Sequence, residues 1–213
     1  MSGASRAAES GQFGERSERP ERPGADSSVS GANGPNGRDW RCHLVLVGMM
    51  GSGKTTVGRL AAAALHRPFL DSDEMIEARE GRTVRDIWLD QGEPVYRDLE
   101  TEVLRDALAS EEPAVVAAAG GVVLREANRL LLESAGVCTV RLHADPDLLI
   151  ERVGRQGHRP LLDDDPLGTL RRLDQEREPL YREVADATVE VGDRNADEIT
   201  AEVLAVLAAR EHA

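Results

Sequence analysis

The octapeptide Gly48-Met49-Met50-Gly51-Ser52-Gly53-Lys54-Thr55 carries the spacing G-x-x-x-x-G-K-[ST], directly after the apolar run His43–Val47 and directly before a helical stretch. Glycines at these places let backbone N–H groups curl around phosphate oxygens, and a helix N-terminus adds partial positive charge. Lys54 would reach the outer phosphates of a nucleoside triphosphate, and the Thr55 hydroxyl would ligate Mg2+. Of 26 basic residues, Lys54 is the one lysine. A composition that has replaced lysine by arginine everywhere else argues against a solvent-facing side chain in a glycine-rich turn.

Two carboxylates follow a second apolar run, in Asp71-Ser72-Asp73. One can share a magnesium ion while the other takes a proton or hydrogen bond from an attacking hydroxyl. An aspartate before a helix also serves as an N-cap, a role open to Asp71 or Ser72. Arg97, in Gly92-Glu93-Pro94-Val95-Tyr96-Arg97-Asp98-Leu99-Glu100, falls in the first turn of a helix, where the dipole favours anions. A bound anion would justify it, and so would a pair with Glu93 or Glu100. For Arg177, in Glu176-Arg177-Glu178-Pro179-Leu180-Tyr181, an exposed salt bridge is the ordinary expectation. The polar, glycine-punctuated stretch from Gly154 to Asp165 suits a lid that closes over phosphates, with Arg159 at its reacting end. His158 in that stretch reads as solvated.

These residues need a scaffold, and the alternation of short apolar runs with amphipathic stretches supplies one. The runs His43–Val47, Pro68–Leu70, Ala114–Ala118, Val137–Leu142 and Ala187–Val191 are near-continuous, as in strands buried on both faces of a parallel sheet. Between them, helices are expected over Lys54–His66, Asp73–Glu80, Thr83 to Gly92, and Pro94 to about Ala109. Later helices are expected to start at Asp145-Pro146, at Asp165-Pro166, and at Asn195, where Glu198 completes a capping box. The expected fold is a doubly wound α/β domain, a five-stranded parallel sheet with helices on both faces, and its ligands belong at the carboxyl ends of the strands.

Length and composition set the remaining bounds. The 213 residues suit one domain, 41–213, preceded by a tail of residues 1–40 rich in Gly, Ser, Arg, Glu and Pro that reads as disordered. Acids at Glu9, Glu15, Glu18, Glu21 and Asp26 argue against an organelle transit peptide. A net charge of -13 disfavours nucleic acid and anionic membranes as partners, no run of 18 apolar residues exists for a span, and the N-terminus lacks the apolar core of a signal peptide. A cytoplasmic location and a monomer are expected. Cys42 and Cys138 lie beside or inside strand-like runs and read as buried free thiols.

Four motifs in this order resemble the shikimate kinases, over about residues 42 to 209. The loop Gly48–Thr56 is similar to the family's phosphate loop, and Asp71-Ser72-Asp73 to its D-x-D element. Gly92 to Glu100 resembles its G-E-x-x-F-R-x-x-E segment, with Tyr96 in place of Phe. Arg159-Pro160-Leu161-Leu162 resembles its lid motif, followed by Arg177 in R-x-P-L-Y. The resemblance implies a P-loop kinase fold that uses magnesium and ATP to phosphorylate the 3-hydroxyl of shikimate, a step toward chorismate and the aromatic amino acids. It implies ATP contacts from Gly51, Ser52, Gly53, Lys54, Thr55, Thr56 and Arg159, with Arg152 and Arg194 beside the adenine. It further implies Mg2+ held by Thr55 and Asp71, Asp73 on the acceptor hydroxyl, and shikimate bound by Arg97, Arg177 and the Gly120 N–H. Lys54, Asp73 and Arg159 would be the catalytic residues.

Two departures stand out. The family's triple glycine reads Ala119-Gly120-Gly121, and its adenine-side R-N-P reads Arg194-Asn195-Ala196. A positive φ demanded of Ala119, or a methyl crowding a phosphate, would impair turnover. The alternatives to a shikimate kinase are a related small-molecule kinase, such as one for gluconate, and a nucleotide-binding regulatory protein without turnover. The first is distinguished by whether Arg97 and Arg177 converge with Asp73.

Overall fold

A computed structural model describes residues 42–153 and 165–210, without the side chains of 151–153. The tail read at 1–40, and the lid with Arg159 and His158, lie outside the described residues, apart from Asp165 at the lid's end. So does the side chain of Arg152.

Five parallel strands form one sheet in the order β2-β3-β1-β4-β5. They are β1 (His43–Val47), β2 (Phe69–Asp71), β3 (Val115–Ala117), β4 (Val137–His143) and β5 (Ala187–Glu190). Burial follows position in the sheet. All of β1 and β3 and six of the seven residues of β4 are buried, whereas edge strand β5 mixes buried and exposed residues. Central strands covered on both faces leave no solvent-facing side for polar residues, which is why these runs are apolar throughout.

The helices are α1 (Lys54–Leu65), α2 (Ser72–Glu80), α3 (Val84–Leu108), α4 (Glu126–Leu132), α5 (Pro146–Val153), α6 (Pro166–Val184) and α7 (Ala196–Arg210). α1 and α7 pack on each other and on the strands, while α4 and α6 both pack against β4. α1 stops at Leu65 because His66 takes a left-handed conformation, φ 55°, as its C-cap. The two helices expected over Thr83–Ala109 are both present within α3, which is a pair joined across a kink at Gly92, whose φ of 83° and ψ of 172° are not helical. Pro94 then restarts the helix near a first turn, where its missing N–H costs little. Helix α4 and the 3-10 turn Val122–Leu124 ahead of it were not anticipated; Arg125, at the α4 N-cap, provides no side-chain cap to read. At α7 the expected box is formed in both directions, Glu198 N–H to Asn195 Oδ1 at 2.9 Å and Asn195 N–H to Glu198 Oε2 at 3.0 Å.

The main core surrounds the sheet, and a smaller one of Ile76, Ile87, Tyr96, Leu99 and Val103 joins α2 to α3. This second core fixes the α2–α3 pair beside the carboxyl ends of β2 and β3. Among the described residues, no helix is long and apolar enough to cross a membrane.

Candidate active site

The loop after β1 depends on three glycines with positive φ: Gly48 at 141°, Gly51 at 81° and Gly53 at 94°. At Gly48 a Cβ would also lie 2.3 Å from the Leu142 carbonyl oxygen, so β4 leaves no room for any side chain there. Lys54, the first residue of α1, folds back over this loop, and its Nζ donates to the carbonyl oxygens of Gly48 and Met49, each at 2.9 Å. Gly51, Gly53, Lys54, Thr55 and Thr56 line a cavity of about 90 Å³ together with Asp71 and Asp73. Ser52 does not line it: its side chain is buried and Oγ has no hydrogen-bond partner among the described residues, leaving its backbone as the part that could meet a phosphate.

Thr55 Oγ1 donates to Asp71 Oδ2 at 2.8 Å, and Asp71 Oδ1 accepts from the Asp73 N–H at 3.1 Å. Asp71 is thus both the N-cap of α2 and a partner of Thr55. A hydroxyl and a carboxylate oxygen this close form a hard-oxygen pair, suited to a divalent cation that keeps several waters. A second titratable cluster, His143, Asp174 and Glu178, has ligand atoms within 4.8 Å of one another. It already holds a cation, because the Arg141 guanidinium bonds both His143 Nδ1 and Glu178.

A larger cavity, about 240 Å³, adjoins the first, and Met50, Asp73, Ala119 and Gly120 line both. Asp73 therefore lies where a phosphoryl donor in one cavity and a hydroxyl in the other would meet. Tyr96 donates its hydroxyl to Asp73 Oδ1 at 2.8 Å; burial and the Asp73 charge push the phenol's pKa up, so it remains a donor.

Arg97 and Arg177 both line the larger cavity and are only 7 % and 4 % exposed. The two readings of Arg97 coexist, since it pairs with Glu93 at 2.9 Å and with Glu100 at 2.5 Å while facing the cavity. Burial opposes its charge, but these carboxylates hold its pKa above the ordinary value. Burial likewise raises the Glu100 pKa, against the pull of Arg97. Arg177 is not the exposed ion pair expected of it: its Nη1 donates to the Gly120 carbonyl oxygen at 3.1 Å, and its buried Nε has no partner among the described residues. Tyr181, fully buried, donates to the same oxygen at 2.5 Å, with its own pKa pushed up to about 12 by burial.

The sequence assigns no role to Tyr181, although it ends the R-x-P-L-Y stretch, and it names Gly121 within Ala119-Gly120-Gly121 without its contact to Arg97. A Cβ on Gly121 would lie 1.8 Å from Arg97 Nη1, so the bare glycine makes the slot that the guanidinium fills. Arg194 lines neither cavity; it bonds Glu202 at 2.6 Å and the carbonyl oxygens of Glu190 and Glu198 around the start of α7. Ala119 escapes the feared strain. Among the described residues His66 is the one non-glycine with positive φ, and the Ala119 N–H donates to Ser72 Oγ at 2.8 Å.

Known proteins resemble this chain in sequence and fold. A shikimate kinase of Symbiobacterium thermophilum is 44% identical over 171 residues, covering 79% of this chain and 97% of its own. One of Burkholderia lata is 46% identical over 156 residues, 73% of this chain and 84% of its own. The solved shikimate kinase from Acinetobacter baumannii in complex with shikimate superposes with a TM-score of 0.76 at 38% identity, covering 79% of this chain and 94% of that one. The family model described as shikimate kinase matches residues 50–208. With its phosphate loop, acid pair and buried arginines in one continuous site, the chain belongs to the shikimate kinase family.

Proposed function

We propose that the chain transfers the γ-phosphoryl group of ATP to the 3-hydroxyl of shikimate, giving shikimate 3-phosphate and ADP on the route to chorismate. The observation that carries this reading is Asp73 on the wall common to two adjoining cavities, one under the phosphate loop and one lined by two buried arginines.

Each residue then has a task. Lys54 exchanges its loop carbonyls for the outer phosphates and neutralises charge on the transferred group. Thr55 and Asp71 would hold Mg2+, which when bound neutralises phosphate charge. Asp73, oriented by Tyr96, accepts the proton of the attacking hydroxyl as the new oxygen–phosphorus bond forms and the bond to ADP breaks. Arg97 and Arg177 grip the acceptor carboxylate, for which forked guanidinium donors are well shaped, and the Gly120 N–H faces the same ligand. In this reading Arg159 closes the phosphates from water, with Arg152 and Arg194 on the adenine side. The working unit is a cytoplasmic monomer, with a catalytic domain of residues 41–213 behind a tail of 1–40.

The test is an ADP-release assay with shikimate, quinate, gluconate or no acceptor, run on wild type and on Arg177→Ala. Shikimate should be strongly preferred. Loss of one charge-assisted pair should weaken it by roughly 10- to 150-fold with ATP affinity retained. Arg177 is the cleaner choice, because removing Arg97 strands buried Glu100 and costs about 3–5 kcal/mol of stability. Faster turnover of gluconate, or ADP release indifferent to acceptor, would overturn the assignment.

A further inference from the structure

The larger cavity is lined by three acids, Asp73, Glu77 and Glu100, and by three guanidinium groups, those of Arg85, Arg97 and Arg177. These cations are not equivalent. Arg97 is bonded to two carboxylates, Glu93 and Glu100, so much of its charge is already compensated. Neither Arg85 nor Arg177 has a carboxylate partner among the described residues.

Arg85 also has the marks of a side chain waiting for a ligand. It is the second residue of α3, in the first turn, where the helix dipole repels a cation. Among the described residues none repays that placement: the side chain is half-buried, and its Nη1 is buried without a hydrogen-bond partner there. The neighbouring acid on the cavity wall, Glu77, is engaged elsewhere through Oε1, which accepts from the Val84 N–H at 2.9 Å. A buried, unsatisfied cationic donor is costly to maintain unless an anion completes it.

We propose that Arg85 is an acceptor-binding residue, whose guanidinium supplies a third charged contact to the acceptor's carboxylate and adds positive charge that neighbouring carboxylates do not offset, as Glu93 and Glu100 offset that of Arg97. The proposal rests on the reading that the acceptor is a hydroxylated carboxylate. It places part of substrate selection on the start of α3, outside the motifs that carry the phosphate and acid chemistry.

The experiment is calorimetric titration of shikimate and of its methyl ester into wild type, Arg85→Ala and Arg85→Lys, with ATP titration and melting temperature as controls. Wild type should prefer the free acid. In Arg85→Ala the affinity for shikimate should fall roughly 10-fold or more while that for the ester changes little, so the preference narrows by the same factor. Lysine should restore part of it, and ATP affinity should be unchanged. Equal weakening of acid and ester, or weakening of neither, would overturn the role of Arg85. Wild type that binds no shikimate would instead overturn the acceptor reading and the proposal with it.

Discussion

Lys54 spans two jobs that a single residue type can do. Its ammonium bonds the Gly48 and Met49 carbonyl oxygens and so draws the loop together, and the same three-donor group can turn to phosphate oxygens. A guanidinium is planar and wider, which suits forked contacts to a carboxylate and does not suit a cradle built of backbone. Lys54→Met should therefore fold, yet lose at least about 10²-fold in turnover, because charge developing on the transferred group is no longer neutralised. Lys54→Arg should recover little. Turnover measured by ADP release, beside a thermal melt, checks both, and a near-wild-type rate in Lys54→Met would remove Lys54 from the reacting centre.

At the scale of elements, legibility depended on how local the cause was. The sequence marks β1 at its observed bounds because a strand buried on both faces leaves an unbroken apolar run, and it marks the start of α7 because Asn195 and Glu198 cap it through neighbours in sequence. The phosphate loop was legible for the same reason, since its glycines, lysine and threonine act within eight residues. The larger cavity was only half legible. Arg97 and Arg177 could be named, but not the contacts that seat them, which join α3 and α6 to the turn after β3. Gly121 is the clearest case, 24 residues from the guanidinium it accommodates, so no periodicity marks it. Gly121→Ala should displace the Arg97 guanidinium and leave buried Glu100 poorly paired. Shikimate affinity should fall by roughly 10-fold or more with ATP affinity retained, and the double variant with Arg97→Ala should be non-additive. Additive losses in that cycle would show that Gly121 acts on something other than Arg97.

At the scale of the whole molecule, alternating strands and helices indicated the class of the sheet, but nothing in the alternation encodes the order β2-β3-β1-β4-β5. That order matters, because β1 between β3 and β4 brings the phosphate loop beside the Ala119–Gly121 turn, where both cavities share Met50, Asp73, Ala119 and Gly120. None of these site residues comes from the first 41 positions, and the family match begins only at residue 50. Residues 1–38 contain no Leu or Ile, and their five arginines balance five acids, so removing them leaves the net charge at -13. A segment with so little apolar surface has few core contacts to lose, and one without net charge does not alter the field around an anionic substrate. Deleting residues 1–38 should therefore shift the melting temperature by no more than about 2 °C and kcat/KM by no more than about twofold. Calorimetric melts and ADP-release kinetics on the two proteins check this. A fall in melting temperature would show that the tail packs on the domain, whereas a fall in kcat/KM alone would place it at the mouth of the site.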